Sequence, residues 1–216
     1  MKHLTRYTLP ILLAGLLGAC ALVGGGKNGG ITIHSPLPTR SASLAEGPVL
    51  PWQLSISHPS AERMIDSARI AVRPQPNELQ VYRGAMWSMP ATDLVETSVL
   101  RMLEDSGRLA GVARSSSGLH SDYRLVMDIR RFEADYAGQS TPTATIEVSA
   151  KLLHSQTQKV VASRTFVERR AADGTAVETV VPAFQTVLDQ ISHAITGWVL
   201  SNGQSDHKAV QTSRIP

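Results

Sequence analysis

From Leu50 onward, apolar and polar residues alternate with two different periods along the chain. In "PWQLSIS", Trp52, Leu54 and Ile56 share one face while Gln53 and Ser55 share the other, as in a half-buried strand. "SARIAVRP" repeats the pattern with Ala68, Ile70 and Val72, up to Pro74, and "ELQVYRG" adds a third strand with Leu79 and Val81 inward. The period then changes. In "MPATDLVETSVLRMLEDSG", Leu94, Val95, Val99, Met102 and Leu103 recur at helical spacing, and Gly107 is placed to stop the helix. "LAGVAR" predicts a short strand. "SDYRLVMDIRRFEADY" predicts a long one, with Tyr123, Leu125, Met127 and Ile129 inward and a bulge or bend where Arg130-Arg131 breaks the alternation. "TATIEVSAKLLHS" carries Ile146, Val148, Ala150 and Leu152 inward, and with "KVVASRTFVERR" it completes an expected antiparallel meander of three strands. Phe184, Val187, Leu188, Ile191, Ile195, Trp198 and Val199 line a long closing helix, expected to begin near Pro182.

The predicted order is β-β-β-α-β-β-β-β-α. Each helix has one apolar stripe, so both can cover the same face of a sheet. The expected fold is therefore α+β, a mainly antiparallel sheet of about six to seven strands with two helices packed on one face.

The first residues follow a different logic. Lys2 and Arg6 precede the apolar run Leu9 to Ala19, which ends in "LGAC". A basic start, a short apolar core and small residues at its end make a secretory signal peptide. The run is shorter than the ~20 residues that span a bilayer. Cys20 is the only cysteine, so it has no internal disulfide partner. "LGAC" also resembles the lipobox of bacterial lipoproteins, in which the thiol is acylated and the chain is cut between Ala19 and Cys20. The expected organisation is a signal peptide over 1–19, a lipidated N-terminus and flexible tether over 20–47, a domain over 48–201 and a polar tail over 202–216. Removing Lys2 and Arg6 takes the formal net charge from +3 to +1. No basic patch interleaved with aromatics appears, so no nucleic-acid partner is expected.

Candidate chemistry is sparse. There is no G-x-S-x-G elbow, H-E-x-x-H helix or Cys-x-x-Cys pair, and His58, His120, His154 and His193 share no metal-ligand spacing. "GGGKN" lacks both the first glycine and the Ser or Thr of a phosphate loop. "DSGRLAGVARSSSG" supplies serines that read as a solvated connection. A non-catalytic protein without cofactor or metal is expected.

"VYRGAMWSMPATDLVETSVLRMLEDSG", in which a strand ending in Tyr82 leads to Trp87 and then to a helix opened by Pro90, resembles the ABC-type transport auxiliary lipoproteins, the paraquat-inducible protein C-like family. Asp122, Tyr123, Leu125, Ile129, Phe132 and Glu133 resemble that family's "D-Y-x-L … I-x-x-F-E" strand, and the helix ending at Trp198 is similar too. The resemblance implies an outer-membrane lipoprotein facing the periplasm. Its implied partner is a periplasmic mammalian-cell-entry-domain subunit of an ABC transporter that moves phospholipid or other hydrophobic molecules between the two membranes. It also implies a sheet with two helices on one face and admits a homo-oligomeric ring. Ala21, which stands where Asp holds many lipoproteins in the inner membrane, agrees with the outer one. The rival role is a structural outer-membrane lipoprotein assisting lipopolysaccharide or secretion-channel assembly. Tyr82, Trp87 and Met89 form a candidate partner contact; alternatively, Trp87 plugs the end of the sheet beneath the helix. Asp122, Arg130, Arg131 and Glu133 read as strand-face charges, and Trp198 as core.

Overall fold

A long strand, β7 (Tyr123–Asp135), is the spine of the protein, seen in a computed structural model that describes residues 30–36, 44 and 46–213. One edge of β7 pairs antiparallel with β8 (Thr143–His154), and β8 pairs antiparallel with β9 (Val160–Ala171). This is the expected meander. The register shifts between Ile129 and Arg131, where the doublet Arg130-Arg131 breaks the alternation. On either side of that bulge, Tyr123, Leu125, Met127, Ile129 and Phe132 remain buried.

The other edge of β7 departs from expectation. It pairs in parallel with three strands in turn: β2 (Leu50–Ile56), β3 (Ser60–Ala61) and β4 (Arg69–Gln75). β4 pairs antiparallel with β5 (Glu78–Trp87), and β5 pairs in parallel with β1 (Thr32–His34). β2 also pairs in parallel with β6 (Leu109–Arg114). The nine strands of the described residues thus form a mixed sheet, not a mainly antiparallel one of six to seven. An alternating pattern reports which face of a strand is buried, not the direction of its neighbour. β1 and β3, three and two residues long, are too short to show any period.

β1 corrects a second expectation. It lies within the segment assigned to the tether, yet its residues are paired from Thr32↔Ala85 to His34↔Trp87. Leu44, in the same segment, is buried. The folded unit starts near Thr32, not residue 48.

Two helices cover one face of the sheet. α1 (Ala91–Ser106) stops at Gly107, whose φ of 61° is left-handed and whose N–H reaches the Glu104 carbonyl. α2 (Val177–Ser213) lies on β7, β8 and β9, and α1 rests on α2 and β6. Trp52, Trp87, Tyr123, Phe132 and Phe184 are among the largest side chains of the single core between them. On the opposite sheet face Asp128, Arg130 and Lys151 are exposed. Among the described residues, no helix is long and apolar enough to cross a membrane.

α2 begins five residues before Pro182, which sits inside it, and it runs unbroken to Ser213, through the described part of the stretch expected to be a polar tail. That end of the helix is docked. Gly203 is buried, the Trp52 indole N–H donates to Gln204 Oε1 at 3.2 Å, and the Tyr123 hydroxyl donates to Asp206 Oδ2 at 2.8 Å. A Cβ on Gly203 would lie 2.7 Å from the Trp52 ring, closer than packed atoms allow. Because that ring is fully buried it cannot swing aside, so Gly203→Val overpacks the contact. The expected loss is about 2 kcal/mol by denaturant unfolding of the full chain. Unchanged stability would mean that the helix end leaves Trp52 in solution.

Candidate functional site

The three residues singled out as a partner contact do not share one surface. Trp87 is 1% exposed, with its ring set edge-on to Phe132 at 5.9 Å and Phe184 at 5.2 Å. It plugs the core and has no face to offer a partner. Tyr82 and Met89 are half-buried against the same core. Burial first, then the neighbouring Tyr136, pushes the Tyr82 phenol above its ordinary ionisation range. Ala19 and Cys20 lie outside the described residues.

The strand motif from Asp122 to Glu133 is architectural. Asp122 ties β7 to β2: its carboxylate accepts the Gln53 backbone N–H at 2.8 Å, and its own N–H donates to the Gln53 carbonyl at 3.0 Å. Tyr123 meets Trp52 edge-on at 5.1 Å, and its phenol is raised above the usual range by burial and then by Asp206. Phe132 stacks on Phe184 at 5.3 Å.

Glu133 is not the strand-face charge expected; it is 1% exposed. Arg73 grips it with two bonds, Nε to Oε1 at 2.8 Å and Nη2 to Oε2 at 2.9 Å, and Arg131 Nε adds a third at 2.8 Å. The bulge after Ile129 aims Phe132 into the aromatic core while Glu133 faces the two arginines. Glu133→Gln removes the charge and leaves both guanidinium groups facing an amide. Breaking a buried pair costs about 3–5 kcal/mol. Both arginine side chains are about a quarter exposed, which favours the low end, about 3 kcal/mol. A shift in unfolding free energy below about 0.5 kcal/mol would place the network among ordinary surface pairs.

Polar chemistry gathers at the C-terminal ends of β2 and β6. One cleft, of about 330 Å³, is lined by Ser55, Ser57, Ser115, His120, Ser121 and Arg124. Its hydroxyls are linked to each other: Ser121 Oγ donates to Ser55 Oγ at 2.9 Å and lies 3.3 Å from Ser155 Oγ. The "SSS" read as a solvated connection forms a short 3₁₀ turn here, after Arg114. An adjoining cleft of about 570 Å³ shares Ser57 and Ser115 and adds His58, Asp93, Glu96 and Arg114. In it, Glu96 is 3% exposed and forms an ion pair with Arg114, whose Nε lies 3.2 Å from Oε1, with His58 Nδ1 at 3.1 Å from its other oxygen. Motif spacing gave no sign of this cluster, because His58 lies 35 positions before Asp93. The one local signal is that Asp93 and Glu96 stand three apart on a helix, which puts them on one face.

The sequence model of the ABC-type transport auxiliary lipoprotein component family matches residues 32–196. The match starts at β1 and ends within α2. Among solved structures, protein XCC0632 from Xanthomonas campestris is 51% identical, with a TM-score of 0.76 over 82% of this chain and 99% of that one. An uncharacterized protein at 13% identity shares the fold, with a TM-score of 0.61 over 79% of this chain and 99% of its own. The uncharacterized protein bll6063 of Bradyrhizobium diazoefficiens is 26% identical over 186 residues, 86% of this chain. The chain spans about half the length, 49%, of that curated relative.

Proposed function

The chain belongs to the ABC-type transport auxiliary lipoprotein components, and we propose that it is the outer-membrane-anchored, non-catalytic partner of a transporter whose periplasmic subunit carries a mammalian-cell-entry domain. In this role Cys20 carries the lipid, and the unit from Thr32 onward makes contact with the periplasmic subunit. The transported molecules are phospholipids or other hydrophobic compounds passing between the two membranes. The observation that carries this reading is the family match over residues 32–196, which coincides with most of the folded unit.

Two of the described clefts favour contact over lipid carriage by this chain, whereas a third, of about 390 Å³, has Leu44, Leu50 and Leu200 in its wall. The two clefts at the ends of β2 and β6 are lined mainly by hydroxyls, imidazoles and charges. An acyl chain needs a largely apolar wall. A domain held at the membrane gains function by raising its effective concentration near a membrane-bound partner.

Photo-crosslinking in intact cells tests the proposal. It should capture a periplasmic mammalian-cell-entry subunit, and loss of either gene should give the same envelope defect. Crosslinks only to lipopolysaccharide-assembly or secretion-channel proteins would overturn it, as would hydrolysis of a lipid ester by the purified chain.

A further inference from the structure

We propose that His58, Asp93 and Glu96 form a binding site for a divalent transition metal of the zinc class, at the mouth of the cleft beside β2, α1 and β6. One potential ligand atom from each residue lies within 4.8 Å of the other two. His58 Nδ1 is 3.1 Å from Glu96 Oε2 and 3.8 Å from Asp93 Oδ1. Ligands held at about 2.0–2.1 Å around a tetrahedral zinc stand roughly 3.3–3.4 Å apart. The two distances bracket that value.

The rigid and mobile parts are suitably divided. The Glu96 side chain is 4% exposed, and its first oxygen is fixed by Arg114. Arg114 is itself anchored by Nη2 donating to Thr97 Oγ1 at 2.9 Å. This arrangement orients a ligating carboxylate from behind, as outer partners do in metal sites. The side chains of His58 and Asp93 are 59% and 43% exposed, so they can close on the fixed carboxylate. Asp93 and Glu96 project from one face of α1, and the cleft gives water room to complete the coordination. One imidazole and two carboxylates suit zinc and its neighbours; magnesium and calcium prefer all-oxygen sites with more ligands. Without a metal, the same groups form only an imidazole–carboxylate pair, and that simpler role predicts no metal dependence.

The test is calorimetric titration of Zn2+ into the full chain, purified in detergent and stripped with EDTA, alongside its melting temperature. Saturable binding should appear and raise the melting temperature, while Mg2+ at the same concentrations does neither. His58→Ala and Asp93→Asn should each weaken Zn2+ binding about tenfold or more. Both side chains are exposed enough for the fold to survive, and the melting temperature in EDTA checks this. If one variant fails to fold, the other is decisive. His207→Ala, on the far end of α2, should bind as the parent chain does. Absence of Zn2+ binding, undiminished binding in a folded His58→Ala or Asp93→Asn protein, or equal binding of Mg2+ would overturn the proposal.

Discussion

Phe184→Ala should lower the melting temperature of the full chain by roughly 10 °C or more. Phe184 is fully buried on α2, with Phe132 of β7 stacked on it at 5.3 Å and Trp87 of β5 edge-on at 5.2 Å. The three rings join the closing helix to both halves of the sheet. Truncating a buried phenylalanine costs about 3–5 kcal/mol, since the site collapses only partly around the cavity. Each aromatic pair adds about 0.5–1.5 kcal/mol beyond its buried area, which points to the upper half of that range. In a chain of this size 1 kcal/mol corresponds to about 2–4 °C. Gln190→Ala, on the exposed side of the same helix, should leave melting nearly unchanged. Trp87→Ala belongs with Phe184→Ala. Had Trp87 been a contact residue, its loss would weaken partner binding and spare stability. A melting shift at Phe184 no larger than at Gln190 would mean that α2 does not close the core in solution.

The alternation of Tyr123, Leu125, Met127 and Ile129, the bulge at Arg130-Arg131 and the stop at Gly107 were all readable, because each depends on residues within a few positions. The parallel partners of β7 were not. They follow from where the chain returns after each excursion, which a local period does not encode. The end of α2 shows another limit. "SNGQSD" is polar in composition, yet Gly203 is required by a ring 151 positions earlier, and Gln204 and Asp206 bond to residues of β2 and β7. A polar stretch that satisfies buried donors looks like a solvated one until its partners are known. Glu133 illustrates the same point from the other side, since its burial depends on Arg73, 60 positions away. His58, Asp93 and Glu96 come together only when the residues just after β2 reach α1. Local pattern therefore carried the layers and their faces, whereas long-range polar pairing decided which charges are buried.

Cys20→Ala should abolish lipid anchoring while leaving the folded unit intact. Each buried methylene contributes about 0.8 kcal/mol, and a single chain anchors only marginally, so a multiply acylated Cys20 should hold the protein through salt washes. The docking of β1 then limits where the domain can work. Thr32 lies twelve positions after Cys20, and a chain extends by at most about 3.6 Å per residue, which bounds the reach at roughly 43 Å. A tether running to residue 47 would have allowed about 97 Å on the same basis. On this account, Thr32 stays within that shorter reach of the lipid-bearing leaflet, and a partner meets the domain no farther out than that reach plus the domain's own width. Mass spectrometry of the native N-terminal peptide should find an acylated Cys20 as the first residue. In Cys20→Ala cells the protein should leave the acylated membrane fraction, either released or held as an uncleaved precursor, with an unchanged melting temperature once purified. An unmodified Cys20, a mature chain starting elsewhere, or a Cys20→Ala protein that is processed and still withstands salt washes would show that this residue is not the anchor.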